Sequence, residues 1–340
     1  GLRRAALAAA AACWAPGAAA LMARSDAESQ MLPGGNVLVT TGYWRLDNSA
    51  ADNGGLRNGP GGYLKRMHMV MSLNVDLAIY GDEFGVENMR LARDQNNSLL
   101  RGSEVVNIKD MEPCRSYETQ LRANVSKYTH PLHMHSVTLA CIWDGKFSLV
   151  GKSARKFPGY DWYAWLDIGM HGGPEMERNM NAWGNRPWPS ASRLAMLPTD
   201  KISASRTSNC GNFKEGVYIP FGHCIAATAY IIPAKIVQEV VELFYEQLYK
   251  CLLITRDQDE SYPCLSEQVI MTQMEMARPG LYNFIGKGYG TGIMNNLTTD
   301  LAELGGTSDL FTFLGAEDGE VTTMLSDSRS AGDIEAVNSE

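Results

Sequence analysis

The 340-residue chain is 45% hydrophobic and carries a formal net charge of -8. A chain of this length and composition buries the core of one large or two modest domains, which excludes a disordered or fibrous protein. The acidic balance, and the lack of a dense Lys/Arg run interleaved with aromatics, argue against nucleic acid as a partner.

The first 30 residues differ in composition from everything that follows. Two arginines precede an alanine-rich apolar stretch that ends near Met22, a pattern typical of a signal peptide or signal anchor. A low-complexity tail is the alternative interpretation. We therefore expect a leader over residues 1–30 and a place in the secretory pathway, either secreted or anchored in the Golgi membrane as a type II protein.

Two further features concern the compartment. N-x-[ST] triplets, which permit glycosylation in that pathway, begin at Asn96, Asn124 and Asn296. Six cysteines follow the leader without CxxC spacing, which argues against a zinc ribbon or a thioredoxin-type motif. Some could pair in an oxidising lumen, but burial as free thiols fits equally for those in apolar surroundings, Cys141, Cys224 and Cys251.

In the first half of the chain, apolar β-branched runs alternate with helical spacing. Strands are predicted over residues 36–44, 75–83 and 103–110, with a helix from Tyr63 between the first two. Apolar residues recur at helical intervals from Val137 to Lys156. The run WYAWLDIG, residues 162–169, is too short for a buried helix and is predicted to be a central strand. This order indicates an α/β fold with a mostly parallel sheet flanked by helices.

The second half continues with a small-residue strand or turn at 224–233 and an amphipathic helix at 234–253. Ser266 is predicted to be the N-cap of a helix over 267–277. Residues 281–292 are predicted to form a glycine-rich loop. The chain beyond residue 300 is acidic and rich in serine and glycine, so we expect a disordered tail over 300–340 behind one main domain at 36–295.

Asp167 directly follows the predicted central strand. Ligands of open parallel sheets bind at the carboxyl ends of the strands. Gly169, two positions later, would let a ligand approach the backbone closely. A carboxylate in this place could bind a ribose hydroxyl or a divalent cation held by phosphates, whereas an acid that only caps the next turn is the alternative.

Three blocks of the sequence resemble the HtrL/YibB family, a family of largely uncharacterised proteins. The blocks are CIWDGKFSLVGKSARKFPGYDWYAWLDIG, IAATAYIIP and SEQVIMTQM, and the resemblance covers residues 36–290. That family is in turn similar to nucleotide-sugar glycosyltransferases of the GT-A fold, whose sheet ends in a D-x-D motif at the place of Asp167. The resemblance implies a GT-A-like fold and transfer of a sugar from a nucleotide-diphosphate donor to a hydroxyl of a glycan or another acceptor.

The same resemblance implies roles for individual residues. Asp167 and Glu267 would be catalytic, with Glu267 as the general base. The residues implied in nucleotide-sugar binding are Thr40, Thr41, Lys146, Asp167, Gly169, Lys287 and Gly288. Those implied on the acceptor side are Ala227, Thr228 and Gln268. Because Gly169 replaces the second acid of D-x-D, Asp167 alone is left as a ligand for Mn²⁺ or Mg²⁺, and a metal-independent mechanism also fits.

Two other functions compete with sugar transfer. A degenerate GT-A fold that binds a glycan or nucleotide without turnover fits the missing second acid. The H-x-x-H-x-H pattern of His130, His133 and His135 suggests a metal-dependent hydrolase, but no further ligand is recognisable nearby, so a solvated loop around Pro131 is the preferred interpretation. The segment GKGYGTG lacks the spacing of a Walker A phosphate-binding loop.

Overall fold

The computed structural model describes residues 36–46, 60–93, 99–127, 136–169, 188–218, 222–256, 264, 266–288 and 291–298. The predicted leader, the predicted acidic tail, and the cluster of His130, His133 and His135 lie outside these described residues.

The described strands form one seven-stranded sheet in the order β3-β2-β1-β4-β6-β5-β7. Their bounds are β1 (Val37–Tyr43), β2 (Asp76–Gly81), β3 (Leu100–Val105), β4 (Trp162–Leu166), β5 (Ile202–Arg206), β6 (Ile225–Pro233) and β7 (Tyr282–Lys287). Strand β6 is antiparallel to both of its neighbours, and every other pair is parallel. Six strands therefore run in one direction and β6 runs against them.

Helices cover both faces of this sheet. Their bounds are α1 (Pro60–Met71), α2 (Glu83–Ala92), α3 (Glu112–Lys127), α4 (Val137–Lys156), α5 (Ala191–Leu194), α6 (Val237–Arg256), α7 (Glu267–Ala277) and α8 (Thr291–Thr298). One apolar cluster joins the sheet to α3, α4, α6 and α7, and a second joins it to α1, α2 and α8. The predicted α/β fold with a mostly parallel, helix-flanked sheet is confirmed. None of the helices described is long and apolar enough to cross a bilayer.

The strand order reverses between β1 and β4. Strands β2 and β3 lie on one side of β1 and β4 lies on the other, so the carboxyl ends of β1 and β4 border the crevice in which such sheets bind ligands. Asp167 is the first residue after β4. Because β6 runs in the opposite direction, its first residues also lie at this edge, where the Asp167 N–H donates to the Thr228 carbonyl at 2.8 Å.

Aromatic packing fixes α4 against the middle of the sheet. The Phe147 ring lies between the Tyr230 ring, at 4.7 Å between centroids, and the Phe244 ring, at 4.3 Å. Phe147 is fully buried, which contributes about 1.5–3 kcal/mol relative to an exposed ring. This packing sets the position of the neighbouring Lys146 on the same helix.

Two predicted elements differ from those observed. The third strand begins at Leu100 and ends at Val105, and residues 108–110 form a 3-10 turn because the Asn107 side chain accepts from the Lys109 N–H at 3.0 Å. The predicted loop at 281–292 contains β7, since Tyr282 and its successors pair with β5. The glycines of this segment led to the prediction of a loop, so the strand was not predicted from the sequence.

The six cysteines after the leader form disulfides, which are Cys114–Cys141, Cys210–Cys224 and Cys251–Cys264. The interpretation of Cys141, Cys224 and Cys251 as free thiols is therefore wrong, although all three are fully buried as expected. Asn124 is only 4% exposed, so a glycan could not be attached there without displacing α3.

Candidate active site

Lys146 connects three distant parts of the chain at the carboxyl end of β4. Its Nζ donates to Asp167 Oδ2 at 3.0 Å, to Glu267 Oε1 at 2.5 Å and to the Ala227 carbonyl at 3.4 Å. The side chain is nearly enclosed, with a relative exposure of 3%. We call Lys146, Asp167 and Glu267 the Lys146 cluster.

Asp167 is the member of the Lys146 cluster that faces solvent. Its side chain is 24% exposed, against 3% for Lys146 and 5% for Glu267. The Trp165 indole N–H donates to Asp167 Oδ1 at 2.6 Å, because residues two apart on a strand share a face. Two donors thus hold the carboxylate in one orientation at the sheet edge.

Glu267 enters the cluster from the first position of α7. An acid in the first helical turn is favoured by the helix dipole. Ser266 occupies the predicted N-cap position, but its side chain makes no capping bond, so only the position of that prediction is confirmed. The Lys146 ammonium, not the cap, holds the Glu267 carboxylate.

The protonation of the cluster follows from burial and from two carboxylates sharing one ammonium. Burial alone would lower the pKa of Lys146, but Asp167 and Glu267 outweigh it and raise that pKa, so Lys146 stays charged. Burial raises the pKa of Glu267, and the Asp167 carboxylate raises it further against the opposing effect of Lys146. A carboxylate with a raised pKa is a stronger base.

Asp144 adds a third buried carboxyl that the sequence interpretation missed. It is fully buried, and neither of its side-chain oxygens has a hydrogen-bond partner among the described residues. Burial raises its pKa well above the ordinary value, and Glu267 adds to the shift. Burial therefore favours the neutral form of the Asp144 carboxyl. An acid within an otherwise apolar stretch of α4 was the signal that could have identified it.

The threonines predicted to bind the donor lie in the core. Both are completely buried, and their hydroxyls already donate: Thr40 to Ser153 Oγ at 2.8 Å and Thr41 to the Leu166 carbonyl at 2.6 Å. The structure does not bring their side chains to the exposed face of Asp167. Thr41 instead connects the ends of β1 and β4.

The predicted acceptor residues lie close to the Lys146 cluster. Ala227 is completely buried and contributes its carbonyl to Lys146, whereas Thr228 contributes its carbonyl to the Asp167 N–H. Gln268 is half-buried beside Glu267, and Gly169 is half-buried two residues after Asp167. The backbone of Ala227 and Thr228 thus contacts the Lys146 cluster, Gln268 and Gly169 are near it in the chain, and the roles of all four stay predictions.

Lys287 is the last residue of β7, and Gly288 follows it at the same edge of the sheet. Three strand spacings, about 14 Å, separate β7 from β4. Lys287 is exposed and pairs in register with Arg206 at the end of β5, a second cation that was missed because the short, serine-containing β5 was not predicted. Gly288 has φ +88°, a conformation that only glycine adopts without strain.

The described residues do not by themselves fit a divalent cation. Among them, no group of three or more His, Cys, Asp or Glu side chains is arranged to hold one. Both oxygens of Asp167 lie 2.8–3.0 Å from the Lys146 ammonium, which repels a second cation. We therefore derive no step through a metal.

Comparisons with known proteins give similar structures but no family. Mouse xyloside xylosyltransferase 1, in its apo crystal structure, has a TM-score of 0.38 and 12% identity over 74% of this chain and 85% of that one. A glycosyltransferase involved in the glycosylation of the major capsid of PBCV-1 has a TM-score of 0.33 and 13% identity over 72% of this chain and 79% of that one.

No protein-family model and no curated protein matches the chain. The resemblance to the HtrL/YibB family therefore stays a prediction. The two structures named above are glycosyltransferases. At such TM-scores and identities neither similarity carries an argument about activity, so the function has to be argued from the geometry of the Lys146 cluster.

Proposed function

We propose that the chain is a glycosyltransferase that moves a sugar from a nucleotide-diphosphate donor to an acceptor hydroxyl. One observation carries this proposal. A partly exposed carboxylate, Asp167, is held in a fixed orientation by Lys146 and Trp165 at the point where the strand order reverses.

Asp167 is proposed to bind hydroxyl groups of the donor. An ionised carboxylate has about four acceptor positions, and the Trp165 and Lys146 donors leave the Asp167 side chain 24% exposed. The remaining positions face the crevice and suit the paired hydroxyls of a ribose or a sugar. Charge-assisted bonds of this kind are stronger than bonds between neutral groups.

Glu267 is proposed to take the proton of the acceptor hydroxyl. The raised pKa of this buried carboxyl brings it closer to the pKa of an effective general base at neutral pH. The Lys146 ammonium, 2.5 Å away, stays charged throughout and balances the carboxylates. Lys146 is enclosed, so we propose that it positions Asp167 and Glu267 and does not itself touch the diphosphate.

The leaving diphosphate is proposed to bind at the carboxyl ends of β7 and β5. Negative charge accumulates on the leaving oxygen, and positioned cations stabilise it. Lys287 supplies an exposed ammonium at this edge, and Arg206 is its neighbour in register. Gly288 lets the backbone approach the phosphates closely.

A binding protein without turnover is the second candidate. Glu267 is only 4% exposed and is already bonded to Lys146, so a ligand could bind at Asp167 without a base reaching it. The secretory location, whether secreted or anchored, also stays a proposal. The three disulfides among the described residues support it, because disulfides persist in oxidising compartments.

Donor binding tests the role of Asp167. Calorimetric titration of the wild type, Asp167→Asn and the control Asp161→Asn with a panel of nucleotide-diphosphate sugars would be compared. Asp161 is exposed at the opposite end of β4, so its substitution should leave affinity unchanged. We expect Asp167→Asn to weaken binding at least about tenfold, since it removes a charged acceptor. Equal affinity of Asp167→Asn for donors that bind the wild type would remove Asp167 from the site.

Turnover separates the two candidate functions. A labelled donor would be incubated with the protein and an acceptor mixture, with and without Mn²⁺, and release of nucleoside diphosphate would be followed. Release that Glu267→Gln abolishes supports the transferase. Tight donor binding without release supports the binding protein.

A further inference from the structure

The three disulfides lie close in the chain to the residues that meet at the Lys146 ammonium. In each of them, one cysteine comes shortly before Lys146 or before a residue bonded to it. Cys141 is five residues before Lys146, Cys224 is three before Ala227, and Cys264 is three before Glu267. The partner cysteines lie on other elements, namely α3, the turn after β5, and α6. The α4, β6 and α7 segments of the site are thus each tied covalently to a neighbouring element.

The start of α7 gains most from such a link. Glu267 is the first residue of this helix, and the first N–H groups of a helix have no partner within it. Ser266 occupies the N-cap position but makes no side-chain capping bond. The apolar residues that bury α7 in the core begin only at Val269. The helix therefore holds Glu267 less firmly than it holds its own middle.

Burial opposes the ionised form of Glu267. Its side chain is 5% exposed, and burial is the largest contribution to its raised pKa. The described groups that interact with its charge are Lys146 and Asp144 on α4, Asp167 after β4 and Tyr230 on β6. Of these four, Lys146 carries the positive charge that favours the carboxylate. If the first turn of α7 were free to move, the carboxylate would regain water at the expense of its bond to Lys146.

The Cys251–Cys264 disulfide supplies a constraint at this point. Both cysteines are fully buried, and both belong to the apolar cluster that contains Phe147, the neighbour of Lys146 on α4. We propose that this disulfide positions Glu267, by holding the start of α7 so that the carboxylate stays against Lys146 Nζ. The consequence for turnover rests on the proposed transferase, whereas the position of the carboxylate can be measured without it.

Two variants of the full chain separate Glu267 from this disulfide. Cys251→Ala/Cys264→Ala removes the bond. Insertion of one glycine between residues 265 and 266 keeps the bond but lengthens its link to Glu267. The insertion therefore provides a second route if the variant without the disulfide fails to fold.

Cys114→Ala/Cys141→Ala is the matched control. It removes a buried disulfide whose cysteines are 27 residues apart, against 13 for Cys251 and Cys264. In the chain-entropy model the longer loop contributes at least as much stability. Its melting temperature should therefore fall at least as far, so any effect that follows stability alone should be at least as large in the control. Lys146 should stay in place there, because the neighbouring Phe147 ring is packed between two other rings.

The first readout is the titration of the Glu267 carboxyl. It would be followed by carbon-13 NMR of glutamate-labelled protein, with the signal assigned by its loss in Glu267→Gln. In the wild type we expect a pKa above the ordinary value of 4.5. In the disulfide variant and in the insertion variant, the pKa should move back towards that value, because the released carboxylate gains water. The control should keep the raised pKa.

The second readout is turnover of a labelled nucleotide-diphosphate sugar. In the disulfide variant and in the insertion variant, kcat should fall about tenfold to a hundredfold, because the base is displaced from the reacting hydroxyl. Donor affinity should equal that of the wild type, since Lys146 and Trp165 still hold Asp167. The control should keep its kcat despite its lower melting temperature.

The two readouts distinguish failure of this proposal from failure of the transferase. If the wild type shows no turnover, the transferase fails, while a shifted Glu267 titration in the two variants still supports the positioning role. A Glu267 titration equal to that of the wild type in both variants would overturn the proposal, because the buried middle of α7 would then hold the carboxylate by itself. The same shift in the control would also overturn it, since the effect would then be a general loosening of the fold.

Discussion

Two buried cations, Lys146 and Arg93, are enclosed to almost the same degree and serve different purposes. Arg93 follows α2 and donates to the carbonyls of Met71 and Leu73, both at 2.6 Å, and of Val75 at 2.5 Å. These neutral acceptors lie at the last residue of α1 and in the connection between α1 and β2. Lys146 meets two carboxylates instead, one of which is open to solvent.

The difference in partners changes the electrostatics. Burial lowers the pKa of Arg93 to about 10, and the nearby Asp76 offsets only part of that effect. The carboxylates around Lys146 reverse the effect of burial and raise its pKa. Arg93, bonded to neutral carbonyls, holds the backbone between α1 and β2 in place. Lys146, bonded to two carboxylates, is part of a group of charges whose balance a ligand or a proton can change. For this reason we place the function at Lys146 and not at Arg93.

Lys146→Met should have the largest combined effect, because it should lower both the free energy of unfolding and the affinity for the donor. It leaves Glu267 buried without its counter-charge, and breaking such a pair typically costs about 3–5 kcal/mol of unfolding free energy. Donor binding should also be lost, because Asp167 loses its orienting donor. Chemical denaturation and calorimetric titration measure the two effects. Adding Glu267→Gln should recover part of the stability but no turnover, and a double variant no more stable than Lys146→Met would contradict the assignment of the pair.

Arg93→Met should destabilise without affecting the site. The three freed carbonyls are neutral, and we expect a loss of about 1–3 kcal/mol for each one that is left without a donor, in the same denaturation experiment. Donor affinity, measured under conditions where the variant is folded, should equal that of the wild type. Loss of donor binding in folded Arg93→Met would show that the two faces of the sheet are coupled and that the contrast drawn above is too simple.

Asp144→Asn should raise the free energy of unfolding relative to the wild type, and the difference should increase with pH. The unfolded chain releases the Asp144 proton near the ordinary pKa of 3.8, while the raised pKa keeps it bound in the folded state. Below that value the titration of Asp144 does not lower the free energy of unfolding. As the pH rises towards the folded-state pKa, the free energy of unfolding falls by about 1.4 kcal/mol for each unit of the pKa shift. Asparagine does not titrate, so the stability advantage of the variant should grow as the pH rises above the ordinary pKa of 3.8 towards the raised folded-state pKa. Asp200→Asn, at an exposed position, should show no such trend, and a flat difference for Asp144→Asn would mean that its carboxyl has a partner in solution.

The sequence predicted the scaffold better than the interior of the site. The helix at Val137–Lys156 has the predicted bounds, and the strand before Asp167 is where the apolar run indicated, because both signals are periodic and local. The pairing of Lys146 with Glu267 and the burial of Asp144 depend on how α6 and α7 pack against α4. No local pattern encodes that packing.

Cysteine pairing and β7 could not be predicted for the same reason. Cys114 and Cys141 lie on different helices that the sheet brings together, and their spacing in the chain does not reveal it. Gly286, with φ +80°, interrupts the apolar pattern of β7, whose identity as a strand depends on hydrogen bonds to β5. Both the disulfide pairing and the formation of β7 depend on contacts between residues that are distant in the sequence.

The Lys146 cluster also has a kinetic consequence, because its members lie far apart in the chain. Lys146 is 21 residues from Asp167, 81 from Ala227 and 121 from Glu267 along the chain. We expect contacts between such distant segments to form late in folding, because closing long loops costs conformational entropy before the contacts are made. The chain has seven tryptophans, and the ring centroid of Trp165 lies 5.7 Å from the Lys146 ammonium. In a variant that keeps only this tryptophan, its fluorescence should therefore report when the Lys146 cluster closes.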